Sequence, residues 1–154
     1  MSLWQALESR LAARVLAQRT FHPHEGLHLF SSARGGSTWL MSMLSQLPGV
    51  VPMWEPLHTT KGVGRTSWGG RPHEHAMGPL DQDCLKEMMS GCMHNAWTAS
   101  RTGARQALQA QQLLFKYVRA NALLPWFLAQ PLRHKPLLLM RHPLDIVTSQ
   151  VRAF

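Results

Sequence analysis

The stretch SSARGGSTWL, residues 31–40, sets one cation and two glycines directly before two hydroxyl side chains. Glycines let a backbone turn tightly and let its N–H groups close on an anion. A helix starting at Ser37 would add its first N–H groups and its dipole to that attraction. Ser37 and Thr38 can donate further hydrogen bonds. An ordinary glycine turn with a Ser/Thr helix cap would read the same way, and this loop alone does not separate the two. Three more residues could act beside a bound anion: Glu55 in MWEPLH, Lys116 in LLFKYVRA and Arg141 in RHPLDIVTS. Of the five glutamates, Glu8, Glu25, Glu55, Glu74 and Glu87, only Glu55 directly follows a strand-like run. A carboxylate there can take a proton or pair with a neighbouring cation.

These residues need elements to bring them together. The apolar run 27–30 after Gly26 predicts a buried strand. Residues 37–47 predict a helix closed by Pro48 and Gly49, and 50–54 a second strand. That βαβ unit makes the two strands parallel. Residues 58–80, rich in Gly, His and Arg, have no period and read as a long loop. A helix is expected over 80–99, with Leu85, Met88, Met89, Cys92 and Met93 on one side. Another is expected over 106–112, a third strand over 113–118 and a helix over 120–130 around Pro125. PLLLM, 136–140, is the clearest strand of all. His142 and Pro143 open a last helix, with proline acceptable in the first turn.

The pattern predicts an α/β fold, a central parallel sheet flanked by helices. It divides the chain into an N-terminal helical extension, 1–25, and one domain, 26–154. In such a sheet, ligands sit beyond the carboxyl ends of the strands. Parallel strands would put Arg34 to Thr38, Glu55, Lys116 with Arg119, and Arg141 on one edge. Pro56 is expected to hold Glu55 extended at the strand mouth.

Composition narrows the partners. The chain has 154 residues, 45% of them hydrophobic, enough for one domain with a core. Lys and Arg number 16 against 8 acids, a formal charge of +8, which suits a polyanionic partner. On a common helix, Cys84 and Cys92 would stand ~12 Å apart, too far for a disulfide, so a reducing compartment is expected. No apolar run of about 20 residues is present, so no membrane span is expected. The N-terminus carries Leu3, Leu7, Leu11 and Val15 at helical spacing. It reads as a surface helix rather than a mitochondrial presequence, and Glu8, Arg10 and Arg14 interrupt any secretory core. The nine histidines form close pairs (His22 with His24, His73 with His75) without zinc-site spacing, so no metal is expected. Trp39, Trp54, Trp97 and Trp126 read as core or core-edge residues. No basic and aromatic interleaving suggests nucleic-acid binding.

The glycine loop departs from the nucleotide-hydrolase pattern GxxxxGK[ST], because Gly36 stands where that pattern has lysine. No strand ends in an acid suited to magnesium. Together, however, SSARGGSTWL and RHPLDIVTS resemble the nucleotide-binding signature of sulfotransferases that use 3′-phosphoadenosine 5′-phosphosulfate (PAPS). The residues that carry the likeness are Arg34, Gly36, Ser37, Thr38, Trp39 and Leu40, then Arg141, Pro143, Asp145 and Ser149. The resemblance covers 27–154 and is strongest to the carbohydrate-type and bacterial members. It implies a P-loop-like three-layer fold and a nucleotide-binding domain over 26–154. The sequence stops inside a helix, so the domain is expected to be incomplete at its C-terminus.

The resemblance also implies roles. Arg34, Gly35, Gly36, Ser37, Thr38 and Trp39 would hold the 5′-phosphosulfate, with Arg34 stabilising charge on the bridging oxygen. Arg141 and Ser149 would bind the 3′-phosphate. Glu55 would be the general base, with His58 as runner-up. Lys116 would contact the co-substrate or serve as a structural pair. The implied reaction is in-line sulfuryl transfer from PAPS, without a metal, to a hydroxyl on a carbohydrate or small alcohol, in the cytoplasm. The alternative is a catalytically inactive nucleotide-binding or interaction domain, which the abrupt end of the sequence motivates.

Overall fold

The computed structural model describes residues 3–63, 78–118 and 120–152. Part of the expected 58–80 loop, residues 64–77, and Arg119 lie outside the described residues. Four strands form one all-parallel sheet: β1 (Leu27–Ser31), β2 (Val50–Met53), β3 (Gln112–Tyr117) and β4 (Leu137–Leu139), in the order β2-β3-β1-β4. The helices are α1 (Leu3–Ala17), α2 (Ser37–Leu44), α3 (Pro79–Met89), α4 (Ala104–Leu108), α5 (Leu124–Ala129) and α6 (Pro143–Val151). A 3₁₀ turn, Asn121–Leu123, leads into α5. The architecture is α/β, a parallel sheet flanked by helices.

Strand alternation divides the core in two. Leu113, Phe115 and Tyr117 of β3 join Phe30, Val51 and Met53 in a cluster with Leu16 of α1, Leu85, Met88 and Met89 of α3, and Phe127 of α5. Leu114 joins Leu29, Val50 and Trp54 against Met41 of α2. The crossovers explain this. Helix α2 carries the chain from β1 towards β2, and α5 carries it from β3 past β1 to β4. Right-handed connections in opposite directions put their helices on opposite faces. Phe30, Tyr117 and Phe127 pack with ring centroids 4.7 to 5.4 Å apart. Each buried ring contributes about 1.5–3 kcal/mol. That cluster fixes the C-terminal ends of β1 and β3, where the chemistry-bearing loops begin.

β2 lies at one edge of the sheet, which is why it tolerates Pro52 without a donor. The segment after α3 covers that edge. Trp54 N donates to Thr98 O at 2.8 Å, Thr102 Oγ1 to Pro52 O at 3.1 Å, and Gln106 Nε2 to Val50 O at 3.1 Å.

Several expectations change. The helix read over 80–99 ends at Met89, because Gly91 takes a left-handed φ of 76° and its N–H bonds Met88 O. Cys84 is buried on α3, while Cys92 is exposed beyond it. The helix read over 106–112 is α4, and Gln112 belongs to β3. The stripe Leu3, Leu7 and Leu11 is not the buried face of α1. Ser9, Ala12, Ala13 and Leu16 are buried, and Leu3 is 91% exposed. Small residues win that face because α1 packs closely on α4. PLLLM forms only a three-residue edge strand, with Leu137 half exposed.

Candidate functional site

β1 and β3 are neighbours whose exits turn to opposite faces of the sheet, the arrangement that opens a crevice. A cavity of about 580 Å³ lies there, lined among others by Arg34, Thr38, Glu55, Lys116, Arg141 and Ser149. Gly36, Ser37, Trp39 and Trp54 also line it. The cations and the carboxylate read from the strand exits thus meet in one place. His58 does not line this crevice. Its ring packs edge-on against Trp97, centroids 5.0 Å apart, and its Nδ1 accepts from Thr60 N.

The loop after β1 is a tight turn. Gly35 N donates to Ser32 O at 3.0 Å, and a Cβ on Gly35 would stand 2.9 Å from that oxygen. Arg34 and Gly36 both have left-handed φ, 65° and 93°. Gly36 caps α2 without a side-chain hydrogen bond. The first intrahelical bond runs from Leu40 N to Gly36 O, so the N–H groups of Ser37, Thr38 and Trp39 have no acceptor within the helix.

Lys116 is the centre of the site. Parity along β3 turns it to the α2 face, since Phe115 and Tyr117 face the other core. Its side chain is 3% exposed. Nζ donates to Thr38 Oγ1 at 3.2 Å and to Glu55 Oε1 at 3.1 Å, and stands 3.5 Å from the centre of the Trp54 ring. Burial pushes the Lys116 ammonium below its ordinary value. Glu55 opposes that shift by charge and hydrogen bond, and Arg101 adds to it.

Glu55 has a φ of 38°, so Pro56 does not hold it in the expected extended form. The chain turns there instead: His58 N donates to Glu55 O at 3.0 Å, Trp97 Nε1 to the same oxygen at 3.3 Å, and Val63 N to Pro56 O at 2.8 Å. Two donors on one carbonyl hold a conformation that an unsupported glutamate would leave, and such strain gathers at functional sites. Arg34 Nε donates to Ser149 Oγ at 3.0 Å, which joins the glycine loop to α6. Arg141 makes an exposed i,i+4 contact with Asp145 at 3.7 Å, a weak pair that a phosphate could displace.

Trp39, read as a core residue and also as part of the loop, is 68% exposed at the crevice mouth. Trp54 is buried as expected but also forms a crevice wall, which its place one residue after β2 could have indicated. Arg101 had no sequence signal, because no element or motif surrounds it. Among the described residues, no group of three or more His, Cys, Asp or Glu could hold a metal ion, and no helix is long and apolar enough to cross a membrane. Comparison with family models, curated proteins and solved structures finds no significant match to this chain.

Proposed function

We propose that the chain is a PAPS-dependent sulfotransferase domain with a P-loop-like nucleotide site. The observation that carries this reading is the Lys116 ammonium, which links the Thr38 hydroxyl of the glycine loop to the Glu55 carboxylate inside one crevice. The residues fit the co-substrate. The turn at 34–38 offers backbone N–H groups and a guanidinium to the phosphosulfate, and Lys116 adds a buried cation beside them. Arg141 and Ser149 suit a second phosphate, the 3′-phosphate, with Ser149 directly beside the turn through its bond to Arg34. A crevice of about 580 Å³ lies within the range of nucleotide-sized sites.

Bound PAPS supplies the sulfuryl group: the bond from the acceptor oxygen to sulfur forms as the sulfur bond to the bridging phosphate oxygen breaks, leaving adenosine 3′,5′-bisphosphate. Glu55 accepts the proton that the acceptor hydroxyl gives up. Lys116 and Arg34 stabilise the charge that grows on the leaving oxygens. Thr38 and Glu55 keep the ammonium fixed between the anion cradle and the base. His58 does not line the crevice itself but shares a small adjoining pocket with Glu55 and Lys116, and it remains the second choice of base.

A nucleotide-binding domain without transfer is the second reading. The ion pair of Glu55 with Lys116 favours it, since a paired carboxylate is also a structural element. Calorimetry with adenosine 3′,5′-bisphosphate and with ATP-Mg tests the first reading. The bisphosphate should bind more tightly; tighter ATP-Mg binding sinks the proposal. Transfer of sulfate to an acceptor, lost on Glu55→Gln while bisphosphate binding persists, separates the two readings.

A further inference from the structure

A second cavity of about 480 Å³ lies beside the crevice, lined by Gln5, Trp54, Ala96, Trp97, Ser100 and Arg101. The two cavities share Trp54. Lys116 stands over its ring in the crevice, and Arg101 Cζ stands 4.7 Å from the centre of the same ring in the second cavity. Trp97 meets Trp54 at 73°, centroids 6.3 Å apart, so two indoles form an aromatic corner. Trp97 is also tied to Glu55, whose carbonyl accepts its Nε1 hydrogen bond. Lys61 Nζ lies 4.7 Å over the Trp97 ring. The corner is therefore fixed to the residue that would take the acceptor's proton.

The lining defines a ligand class. Arg101 and Lys116 stand over the Trp54 ring and Lys61 over the Trp97 ring, so the apolar lining left to a ligand ring is the corner between the two indoles. Arg101 is exposed, and among the described residues no carboxylate lies within ion-pair distance of it. A guanidinium without a carboxylate partner at the rim of an aromatic pocket suits a carboxylate, sulfate or phosphate on the ligand. The volume accommodates one or two rings.

We propose that this cavity binds a hydroxylated ring compound carrying an anionic substituent, with the ring against the corner between Trp54 and Trp97 and the anion on Arg101. That this ligand is the acceptor rests on the sulfuryl-transfer reading; the ligand class rests on the cavity alone.

The experiment uses the full chain and two probes, 4-nitrophenyl β-D-glucuronide and 4-nitrophenyl β-D-glucopyranoside, which differ by one carboxylate. Calorimetry is run with adenosine 3′,5′-bisphosphate present and absent. The glucuronide should bind about fivefold more tightly, a modest factor because Arg101 is exposed. Arg101→Gln, a surface change, should bring the ratio close to one. Equal binding of the probes, a ratio that survives Arg101→Gln, or no binding of either overturns the proposal. If the ratio appears and depends on Arg101 but the bisphosphate does not bind, the ligand class stands and sulfuryl transfer falls. If the bisphosphate binds and the probes are not distinguished, the reverse holds.

Discussion

Replacing Glu55 with glutamine removes one charge from a buried pair and leaves an acceptor oxygen in place. The Lys116 hydrogen bond can survive, so the variant isolates the electrostatic part of the contact. Breaking a fully buried ion pair costs about 3–5 kcal/mol. Here Lys116 is 3% exposed but the Glu55 side chain is 15% exposed, so water screens part of the field. A loss of about 2 kcal/mol is expected, a shift of roughly 1 M in the urea midpoint for a domain of this size. The pH dependence supplies the sharper check. Folded Lys116 already titrates below its ordinary 10.5, chiefly through burial, and Glu55 is the group that raises it. Without Glu55 it titrates lower still. The unfolded chain then binds the proton that the folded chain releases, so stability rises with pH up to about 10.5. The deficit of Glu55→Gln against the parent should be largest near neutral pH and shrink towards about pH 10. Adding Lys116→Met should recover part of the loss at neutral pH, because the unpaired ammonium is gone. Urea unfolding followed by circular dichroism measures all three. A deficit below about 0.5 kcal/mol that does not change with pH would refute the argument that Glu55 holds a buried ammonium charged.

Other outcomes follow from the same geometry. Arg141→Ala should weaken adenosine 3′,5′-bisphosphate by about thirtyfold in calorimetry, the loss of one charge-assisted contact, and leave the melting transition nearly unchanged because Arg141 is exposed. Gly36→Ala has room, with only Leu139 Cδ2 near at 3.9 Å, so its stability cost of about 1–2 kcal/mol comes from the left-handed φ alone. Stability should also fall as pH drops below about 6.5, since burial lowers folded His28 to about 3 and His94 to about 4 while their unfolded forms take up protons. His28→Phe, set among Phe115, Phe127 and Tyr117, should flatten that fall in acid titrations.

The site was more legible in the sequence than the packing was. Strand exits in a parallel sheet must share an edge, so a charged residue just after an apolar run already has an address. Arg34, Glu55 and Arg141 follow strands in this way, and Lys116 lies near the end of β3. What periodicity could not supply was which apolar residues would be inside. Leu3, Leu7 and Leu11 have the spacing of a buried face, yet alanines pack α1 against α4, because close approach favours small side chains. PLLLM has the composition of a central strand but lies at the edge, since an apolar run carries no information about strand order. The end of α3 could have been read: Gly91, after the Ser90 cap, supplies the left-handed stop that the apolar pattern, continuing through Cys92 and Met93, concealed.

The crevice also shows why its residues cannot be exchanged one at a time. Lys116 reaches Thr38 and Glu55 only because parity along β3 turns it away from Phe115 and Tyr117. Thr38 is in reach only because the turn at Arg34 and Gly36 takes two left-handed conformations before α2 starts. Glu55 is in reach only because Trp97 and His58 hold its carbonyl at a φ that the residue would not adopt alone. Arg34 and Glu55, non-glycine residues at left-handed φ, cost of order 1–3 kcal/mol each. The buried aromatic cluster behind β1 and β3 offsets that cost from the opposite face of the sheet. The strain at the crevice and the stability that supports it therefore lie on two sides of the same strands. A cavity made at Phe127 should for that reason loosen the Lys116 contacts across the sheet, even though the two side chains never touch.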